Sequence, residues 1–186
     1  MWVSDFHIQR AVQVLNKGQI IAYPTESVFG LGCNPENLSA IEQLLAIKQR
    51  SADKGLILIA SDIDQLKPWV NFDKIPDLDT VLESWPGPET WIIPARSDVS
   101  PLITGKHDSL AVRVSAHPIV RKICDQFQGA ITSTSANKSN QREAKSLYSS
   151  RQYFHNEVDF YVPGTVSGKQ RPSRIRNAIT QEIIRA

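Results

Sequence analysis

The chain has 186 residues, of which 41% are hydrophobic and 22% are charged, and its net charge at pH 7 is +2. These values are typical of a soluble globular protein, and the length predicts a single domain over residues 1–186. The small net charge argues against a protein that coats nucleic acid, so any anion-binding site has to be local.

Metal, disulfide and membrane features are not expected. Cys33 and Cys124 are too few and too far apart for a disulfide framework, and no CxxC or HExxH spacing predicts a zinc site. Cys33 is a possible thiol nucleophile, although a buried structural cysteine is the commoner role. The N-terminus lacks the regions of a signal peptide and no long apolar run follows, so we expect a cytoplasmic protein without a membrane partner.

The first third of the chain predicts two helices around a short strand and a glycine-bearing turn. In chain order the predicted elements are a helix over residues 5–17, a strand over 19–23 and a helix over 37–47. Ser4 and Gly18 are the expected caps of the first helix. We reject a dinucleotide-binding role for Gly30-Leu31-Gly32, because the third glycine is missing and Pro35 stands where the helix should open.

Three cations, Lys48, Arg50 and Lys54, lie between the second helix and an apolar strand over residues 56–60. A cationic turn held between two elements can bind a phosphate or a carboxylate. Alternatively, these cations belong to a solvated helix C-terminus, where they complement the helix dipole.

The middle of the chain alternates turns with strands. The predicted elements are a helical stretch over 61–68, a short helix over 78–82, a strand over 90–94, a surface loop over 97–106 and a strand over 110–114. Trp85-Pro86-Gly87-Pro88 predicts a rigid corner before the first of these strands. Arg113 lies within the second strand, and an arginine there must either be paired or face a ligand.

The C-terminal third completes a pattern of short strands with helices between them. The predicted elements are a helix over 117–127, a strand over 130–134 that runs into hydroxyl and amide side chains, a helix over 141–153, and strands over 160–162, 173–176 and 182–185. This pattern predicts a three-layer α/β domain with a mixed parallel and antiparallel sheet flanked by helices.

Hydroxyls, one amide and cations recur at the ends of the predicted strands, where α/β sheets bind ligands. The set comprises Thr25, Lys48, Arg50, Lys54, Ser109, Arg113, Ser133, Ser135, Asn137 and Arg176. Such groups suit phosphate and carboxylate oxygens. Each also has an ordinary structural role: Thr25 as a satisfied turn hydroxyl, Ser135 and Asn137 as caps, and the neighbouring Glu26 as an exposed turn acid. Without a GxSxG elbow or a Walker A motif, the residues favour a nucleotide-using enzyme, with a structured-RNA binding module as the alternative.

Ordered motifs along nearly the whole chain resemble the YrdC family, and especially its short bacterial members, the threonylcarbamoyl-AMP synthases. The motifs are Tyr23–Gly32, Lys48-Gln49-Arg50, Lys54–Ala60, Trp85–Pro88, Leu110–Val114, Ser133–Asn137, Pro163-Gly164 and Pro172–Arg176. The resemblance implies a twisted mixed sheet with a concave, positively charged cavity. It also implies the conversion of L-threonine, bicarbonate and ATP, with Mg²⁺ accompanying the nucleotide, into threonylcarbamoyl-AMP and pyrophosphate, which makes the chain a nucleotidyltransferase.

The same resemblance implies partners and residue roles. A separate threonylcarbamoyl-transfer complex then modifies tRNA beside the anticodon, and direct contact with tRNA is possible. By position, the expected threonine contacts are Thr25, Arg113 and Ser133; the expected ATP contacts are Lys48, Ser109, Ser135, Asn137, Ser173 and Arg176; and the expected catalytic cations are Lys48, Arg50 and Lys54. No metal ligands are expected from the chain. A carbamoyl-transferring relative that uses carbamoyl phosphate is the alternative within the resemblance.

Departures from the family pattern concern loops. Ser51 stands where proline usually follows the KxR motif, Lys138-Ser139-Asn140 replaces Leu-Ser-Gly, and Asn177 replaces a common aspartate. We also expect the basic stretch from Gly164 to Arg176 to form a lid over the nucleotide, with a plain surface hairpin as the alternative.

Overall fold

A computed structural model describes residues 3–139, 141–168 and 173–186 of the chain. Within these residues the helices are α1 (Asp5–Asn16), α2 (Leu38–Lys48), α3 (Leu78–Glu83), α4 (Pro101–Thr104), α5 (Pro118–Phe127) and α6 (Leu147–Phe154). The strands are β1 (Ile21–Pro24), β2 (Phe29–Gly32), β3 (Ile57–Ala60), β4 (Glu89–Pro94), β5 (Ser109–Val114), β6 (Ile131–Ser135), β7 (Phe160–Tyr161), β8 (Arg174–Asn177) and β9 (Ile183–Arg185). None of the described helices is long and apolar enough to cross a bilayer.

The strands form one mixed sheet in the order β7-β1-β2-β6-β3-β5-β4-β8-β9. β3 pairs in parallel with β5 and antiparallel with β6, so both pairing types meet at the centre of the sheet. The predicted α/β class with a mixed sheet is confirmed.

Most predicted elements form, and the differences have local causes. Residues 61–68 form turns instead of a helix, because the Asp62 side chain accepts from the Asp64 N–H and the Gln65 side chain accepts from the Ser61 N–H. The predicted loop over 97–106 contains α4, which Ser100 caps. The helix predicted over 141–153 is only α6, since a capping box at Ser146 fixes its start.

The unpredicted strand β2 contains both glycines of the rejected fingerprint. It pairs antiparallel with β1, and the Tyr23 ring lies over Gly30 and Gly32. The Tyr23 hydroxyl donates to the Thr132 carbonyl oxygen at 3.1 Å. A side chain at either glycine would meet this ring, so the glycines serve close packing within the sheet.

The two sheet faces are covered differently. Alternate residues such as Ile21, Tyr23, Ile59 and Ile131 pack against α1 and α5 on one face. On the opposite face, the second core includes Leu58 and Val112 of the sheet and the apolar side of α2. The helices therefore lie on both sides of the sheet, as the three-layer prediction requires.

The face under α1 and α5 is only partly covered. Along β5, Ser109, Ala111 and Arg113 share this face because side chains alternate along a strand, and all three line an open cavity beyond the helices. Thr90 and Ile92 of β4 continue the same surface. The cavity therefore lies on the uncovered half of the sheet, because alternate side chains of β4 and β5 point to that face.

We predict that Gly32→Ala lowers the free energy of unfolding by about 2 kcal/mol or more. The added Cβ would overlap the Thr132 carbonyl oxygen and lie 3.0 Å from the Tyr23 ring. Denaturant unfolding measures the change. Gly129→Ala is the control, because its Cβ would meet Phe127 at an ordinary 3.6 Å and should change stability by less than about 0.5 kcal/mol. Equal stability of the two variants would contradict this packing.

Candidate functional site

A cavity of about 330 Å³ occupies the uncovered half of the sheet. Eight of the eleven predicted site residues line it: Thr25, Arg50, Lys54, Ser109, Arg113, Ser133, Ser135 and Ser173. The alternation of side chains along strands brings four of them together, since residues 109 and 113 share one face of β5 and residues 133 and 135 share the same face of β6. Lys48, Asn137 and Arg176 are not among its lining residues.

Arg113 is a buried cation that faces both a carboxylate and the cavity. Its Nη2 lies 3.2 Å from Oε2 of Glu26, and both side chains are less than a tenth exposed. Within the described residues, the Arg113 side chain donates no hydrogen bond. A desolvated guanidinium that keeps its donors and lines a cavity is suited to an oxygen anion.

The prediction that Glu26 is an exposed turn acid is wrong. Its Oε1 accepts from the Ser115 hydroxyl at 2.8 Å and from the Ala116 N–H at 3.2 Å. Burial alone would raise the pKa of Glu26, but the Arg113 charge and the Ser115 hydrogen bond outweigh it and lower the pKa. Glu26 is therefore an ionised counter-charge, turned inward because Arg113 lies beneath the turn that carries it.

The Thr25 hydroxyl is hydrogen-bonded within its turn, as one expectation required, and the residue also lines the cavity. Its hydroxyl donates to the Val28 carbonyl oxygen at 2.7 Å, which closes the turn between β1 and β2. Because that proton is used, the Thr25 oxygen can only accept a hydrogen bond from a ligand.

The cationic turn is held rigidly by backbone contacts. Arg50 Nη2 donates to the Gly55 carbonyl oxygen at 2.9 Å, and the Leu56 N–H donates to the Ile103 carbonyl oxygen at 2.8 Å. Gly55 has φ +60°, and a Cβ there would lie 2.8 Å from the Thr104 carbonyl oxygen, so only glycine fits. The turn is thus more than a solvated helix end, although Lys54 itself is exposed.

Lys48 lies behind the cavity wall and is only 3% exposed. Its ammonium donates to the carbonyl oxygens of Ser135 and Asn137 and, at 3.3 Å, to Oδ1 of Asn137. These three acceptors use its three protons. Burial, with the nearby Arg50 charge, lowers the pKa of Lys48 to about 8.

Asn137 also shapes the wall instead of lining it. Its Oδ1 accepts from the Ser135 hydroxyl at 2.6 Å, and its Nδ2 donates to the Gln141 carbonyl oxygen at 2.8 Å. The departure at Ser139 has a local role, because its hydroxyl donates to the Gln49 carbonyl oxygen at 2.8 Å and so caps the end of α2. Asn140 lies outside the described residues.

Arg176, an expected ATP contact, is not among the described residues that line the cavity. Its guanidinium lies 4.4 Å from the Trp91 ring centroid, in the core on the opposite face of the sheet, and it donates to Oε1 of Gln181 at 3.0 Å. Its neighbour Ile175 points into the cavity instead. The cause is the parity of β8, which sends alternate residues to opposite faces.

Several lining residues were missed from the sequence. The polar ones are Ser27, Thr90, Thr104, His107, Thr134, Glu143 and Arg185. The Thr90 hydroxyl donates to the Ser173 hydroxyl at 2.8 Å, and Arg185 donates to the Ser173 carbonyl oxygen at 2.8 Å. Arg185 could have been found from β9, whose pairing with β8 brings it opposite Ile175. Residues 169–172, at the centre of the expected lid, lie outside the described residues.

The lining carries an excess of positive charge. Four cations, Arg50, Lys54, Arg113 and Arg185, line the cavity together with a single carboxylate, Glu143, among the described residues. Neither cysteine contributes a nucleophile, because burial raises the pKa of Cys33 to about 11 and also raises that of Cys124. No cluster of three metal-ligating side chains occurs in the described part of the chain.

Fold and site together define an α/β domain with a cavity on a mixed sheet, lined by more cations than carboxylates among the described residues. The chain belongs to the Sua5/YciO/YrdC family: the family model, described as "Telomere recombination", matches residues 13–186. It is 45% identical over 181 residues to a threonylcarbamoyl-AMP synthase of Vibrio vulnificus strain YJ016, covering 96% of this chain and 97% of that protein. A threonylcarbamoyl-AMP synthase of Saccharophagus degradans is 47% identical over 186 residues, covering 100% of this chain and 97% of the relative.

Solved structures share the fold. P. abyssi Sua5 complexed with L-threonine superposes with a TM-score of 0.88 at 28% identity, over 95% of this chain and 52% of that chain. The present chain therefore spans about half the length of that protein. E. coli YciO superposes with a TM-score of 0.81 at 21% identity, over 98% of this chain and 92% of that one.

We predict that Lys48→Met lowers the free energy of unfolding by about 3 kcal/mol at pH 7, since it leaves buried oxygens of Ser135 and Asn137 without their donor. An exposed lysine, Lys106, provides the matched control, and Lys106→Met should change stability by less than about 0.5 kcal/mol. Denaturant unfolding separates the two.

The contribution of Lys48 should also depend on pH. Between its folded pKa of about 8 and its ordinary 10.5, the unfolded chain holds a proton that the folded chain has released, so stability from this group rises with pH. The free energy of unfolding of the wild type should exceed that of Lys48→Met by about 2 kcal/mol more at pH 9.5 than at pH 7. A difference that stays constant or shrinks over this range would contradict the burial of the ammonium.

Proposed function

We propose that the chain is a threonylcarbamoyl-AMP synthase, which joins L-threonine, bicarbonate and ATP into threonylcarbamoyl-AMP and pyrophosphate. The observation that carries the proposal is Arg113, a buried guanidinium that donates no hydrogen bond to the described residues and faces a cavity with three further cations. Relatives of nearly the same length bear this name, and P. abyssi Sua5 has a structure with L-threonine.

The threonine site is built around Arg113. Its guanidinium binds the amino-acid carboxylate, and Ser133 lies on the adjacent face of β6. The Thr25 oxygen, which can only accept, receives a hydrogen bond from the threonine amine or hydroxyl. These three residues are those expected from the sequence.

The triphosphate lies toward the cationic turn. Arg50 and Lys54 supply positive charge, and the hydroxyls of Ser109, Ser135 and Ser173 supply hydrogen bonds. Lys48 and Asn137 act on ATP by holding the Ser135 turn in place, and direct contact by either residue requires movement of that turn. Arg176 lies against Trp91 outside the described lining, and its expected contact with ATP stays a prediction.

The chemistry needs positioning and charge stabilisation more than a nucleophile. The threonine amine and bicarbonate form a carbamate with loss of water, the carbamate oxygen attacks the α-phosphorus, and pyrophosphate leaves. Every reactant is anionic at that stage, so the cations of the lining bring them together and stabilise the transition state. This reaction makes the transferase a nucleotidyltransferase.

Magnesium accompanies the nucleotide in this proposal. Glu143 is the one carboxylate of the described lining, and Mg²⁺ is usually held by one or two carboxylates together with substrate phosphates. When bound, the ion neutralises phosphate charge. The residues of the chain orient the phosphates and the threonine around it.

The product is a labile mixed anhydride, so a second protein must take it up. We propose that a threonylcarbamoyl-transfer complex receives it in the cytoplasm and modifies tRNA. Direct RNA binding by the chain is less favoured, because tight non-specific binding needs many phosphate contacts and the net charge is only +2.

We predict that pyrophosphate release from ATP requires threonine, bicarbonate and a divalent ion together. Omitting any one of them, or adding a chelator, should reduce the rate to background in a coupled pyrophosphate assay. Equal turnover with carbamoyl phosphate in the absence of bicarbonate would instead identify a carbamoyl-transferring enzyme.

The choice of amino acid tests the threonine site separately. 2-Aminobutyrate lacks the hydroxyl and would leave a buried polar group unpaired, so it should be a poor substrate. Serine lacks only the methyl group, so its kcat/KM should be lower than that of threonine by the equivalent of about 1–3 kcal/mol in transition-state binding. Comparable kcat/KM values for 2-aminobutyrate and threonine would show that the site does not bind the hydroxyl.

A further inference from the structure

The cations of the cavity fall into two electrostatic kinds. Arg113 is buried and has Glu26 at 3.2 Å. Arg50, Lys54 and Arg185 form no ion pair within 4.0 Å among the described residues, and the hydrogen bonds found for Arg50 and Arg185 go to neutral carbonyl oxygens. Arg113 therefore has a carboxylate at ion-pair distance, whereas the other three lining cations have none among the described residues.

Hydrogen bonds hold the Glu26 carboxylate in place beside Arg113. Oε1 is held by the Ser115 hydroxyl and the Ala116 N–H, and the Ser115 oxygen in turn accepts from the His117 N–H at 3.1 Å. Glu26 is 4% exposed and does not line the cavity, so it contacts Arg113 from behind. The carboxylate orients the guanidinium without occupying the face that a ligand would use.

The two kinds of cation suit different ligands. A zwitterionic amino acid has no net charge and gains from the directional donors of Arg113, while the adjacent carboxylate removes much of the attraction for additional negative charge. A triphosphate or pyrophosphate gains most where several unpaired cations act together. A buried arginine without a counter-charge would attract both ligands to one place.

We propose that Glu26 is a positioning and specificity-determining residue, which orients Arg113 and keeps phosphate anions out of the amino-acid subsite. This inference rests on the proposed function, because it takes Arg113 as the contact of the threonine carboxylate. Glu26 does not touch the reacting atoms in this account. It sorts two negatively charged groups that must bind side by side.

The test measures L-threonine binding to the full chain by calorimetry, with and without saturating pyrophosphate. In the wild type, pyrophosphate should change the threonine Kd by less than about twofold. In Glu26→Gln, the threonine Kd should rise about tenfold, because Arg113 loses its orienting partner. Pyrophosphate should then raise that Kd about tenfold further, because it enters the subsite of the unpaired arginine.

Asp53→Asn is the charge-matched control, since it removes a carboxylate from an exposed position of the cationic turn that does not line the cavity. It should leave threonine binding insensitive to pyrophosphate. Sensitivity equal to that of Glu26→Gln would overturn the proposal, because net charge alone would then explain the effect. Insensitivity of Glu26→Gln itself would also overturn it.

Ser115→Ala separates orientation from charge and keeps the proposal testable where Glu26→Gln does not fold. It removes one hydrogen bond from Oε1 but leaves the carboxylate in place. Threonine binding should weaken, whereas pyrophosphate should still have no effect. An unchanged threonine Kd in Ser115→Ala would overturn the orienting role. A wild-type chain that does not bind threonine would overturn the proposed function, and this inference with it.

Discussion

The buried pair of Arg113 and Glu26 is the interaction on which the site depends. An arginine in the middle of a central strand is costly to bury unless a carboxylate accompanies it. Glu26 reaches it from the turn between β1 and β2, so the pair connects that turn to β5 across the sheet. The pair therefore fixes the position of Thr25, which precedes Glu26 in the same turn, relative to the donors of Arg113.

Two other cations hold the surroundings of the cavity in place through hydrogen bonds to backbone carbonyl oxygens. Lys48 joins the end of α2 to the turn after β6, and Arg50 closes the cationic turn on the Gly55 carbonyl oxygen. Removing a donor from such buried oxygens costs more than removing an exposed charge. The stability of the fold and the shape of the site thus rest on the same side chains, and a loss of activity in these variants has to be separated from a loss of folding.

Most elements could be predicted from the sequence because caps and apolar periodicity are local signals. The eight lining residues could be predicted because ordered motifs resemble those of a known family. The sequence could not give the inward turn of Glu26 or the burial of Lys48, because both depend on partners that are distant in the chain. The position of Arg176 could not be predicted for a different reason: a motif identifies the strand, but pairing with β4 decides which face each side chain takes. The strand β2 was missed because its glycines pack beneath Tyr23, a contact invisible to strand propensity.

The proposed function requires that one half-covered sheet face holds an amino acid and a triphosphate next to each other. A crystal structure of the chain with L-threonine and a non-hydrolysable ATP analogue tests it most directly. We expect the threonine carboxylate to lie on the Arg113 guanidinium, with Glu26 still behind it, and the phosphates to lie beside Arg50 and Lys54. Phosphates on Arg113, or threonine bound outside the cavity, would contradict it.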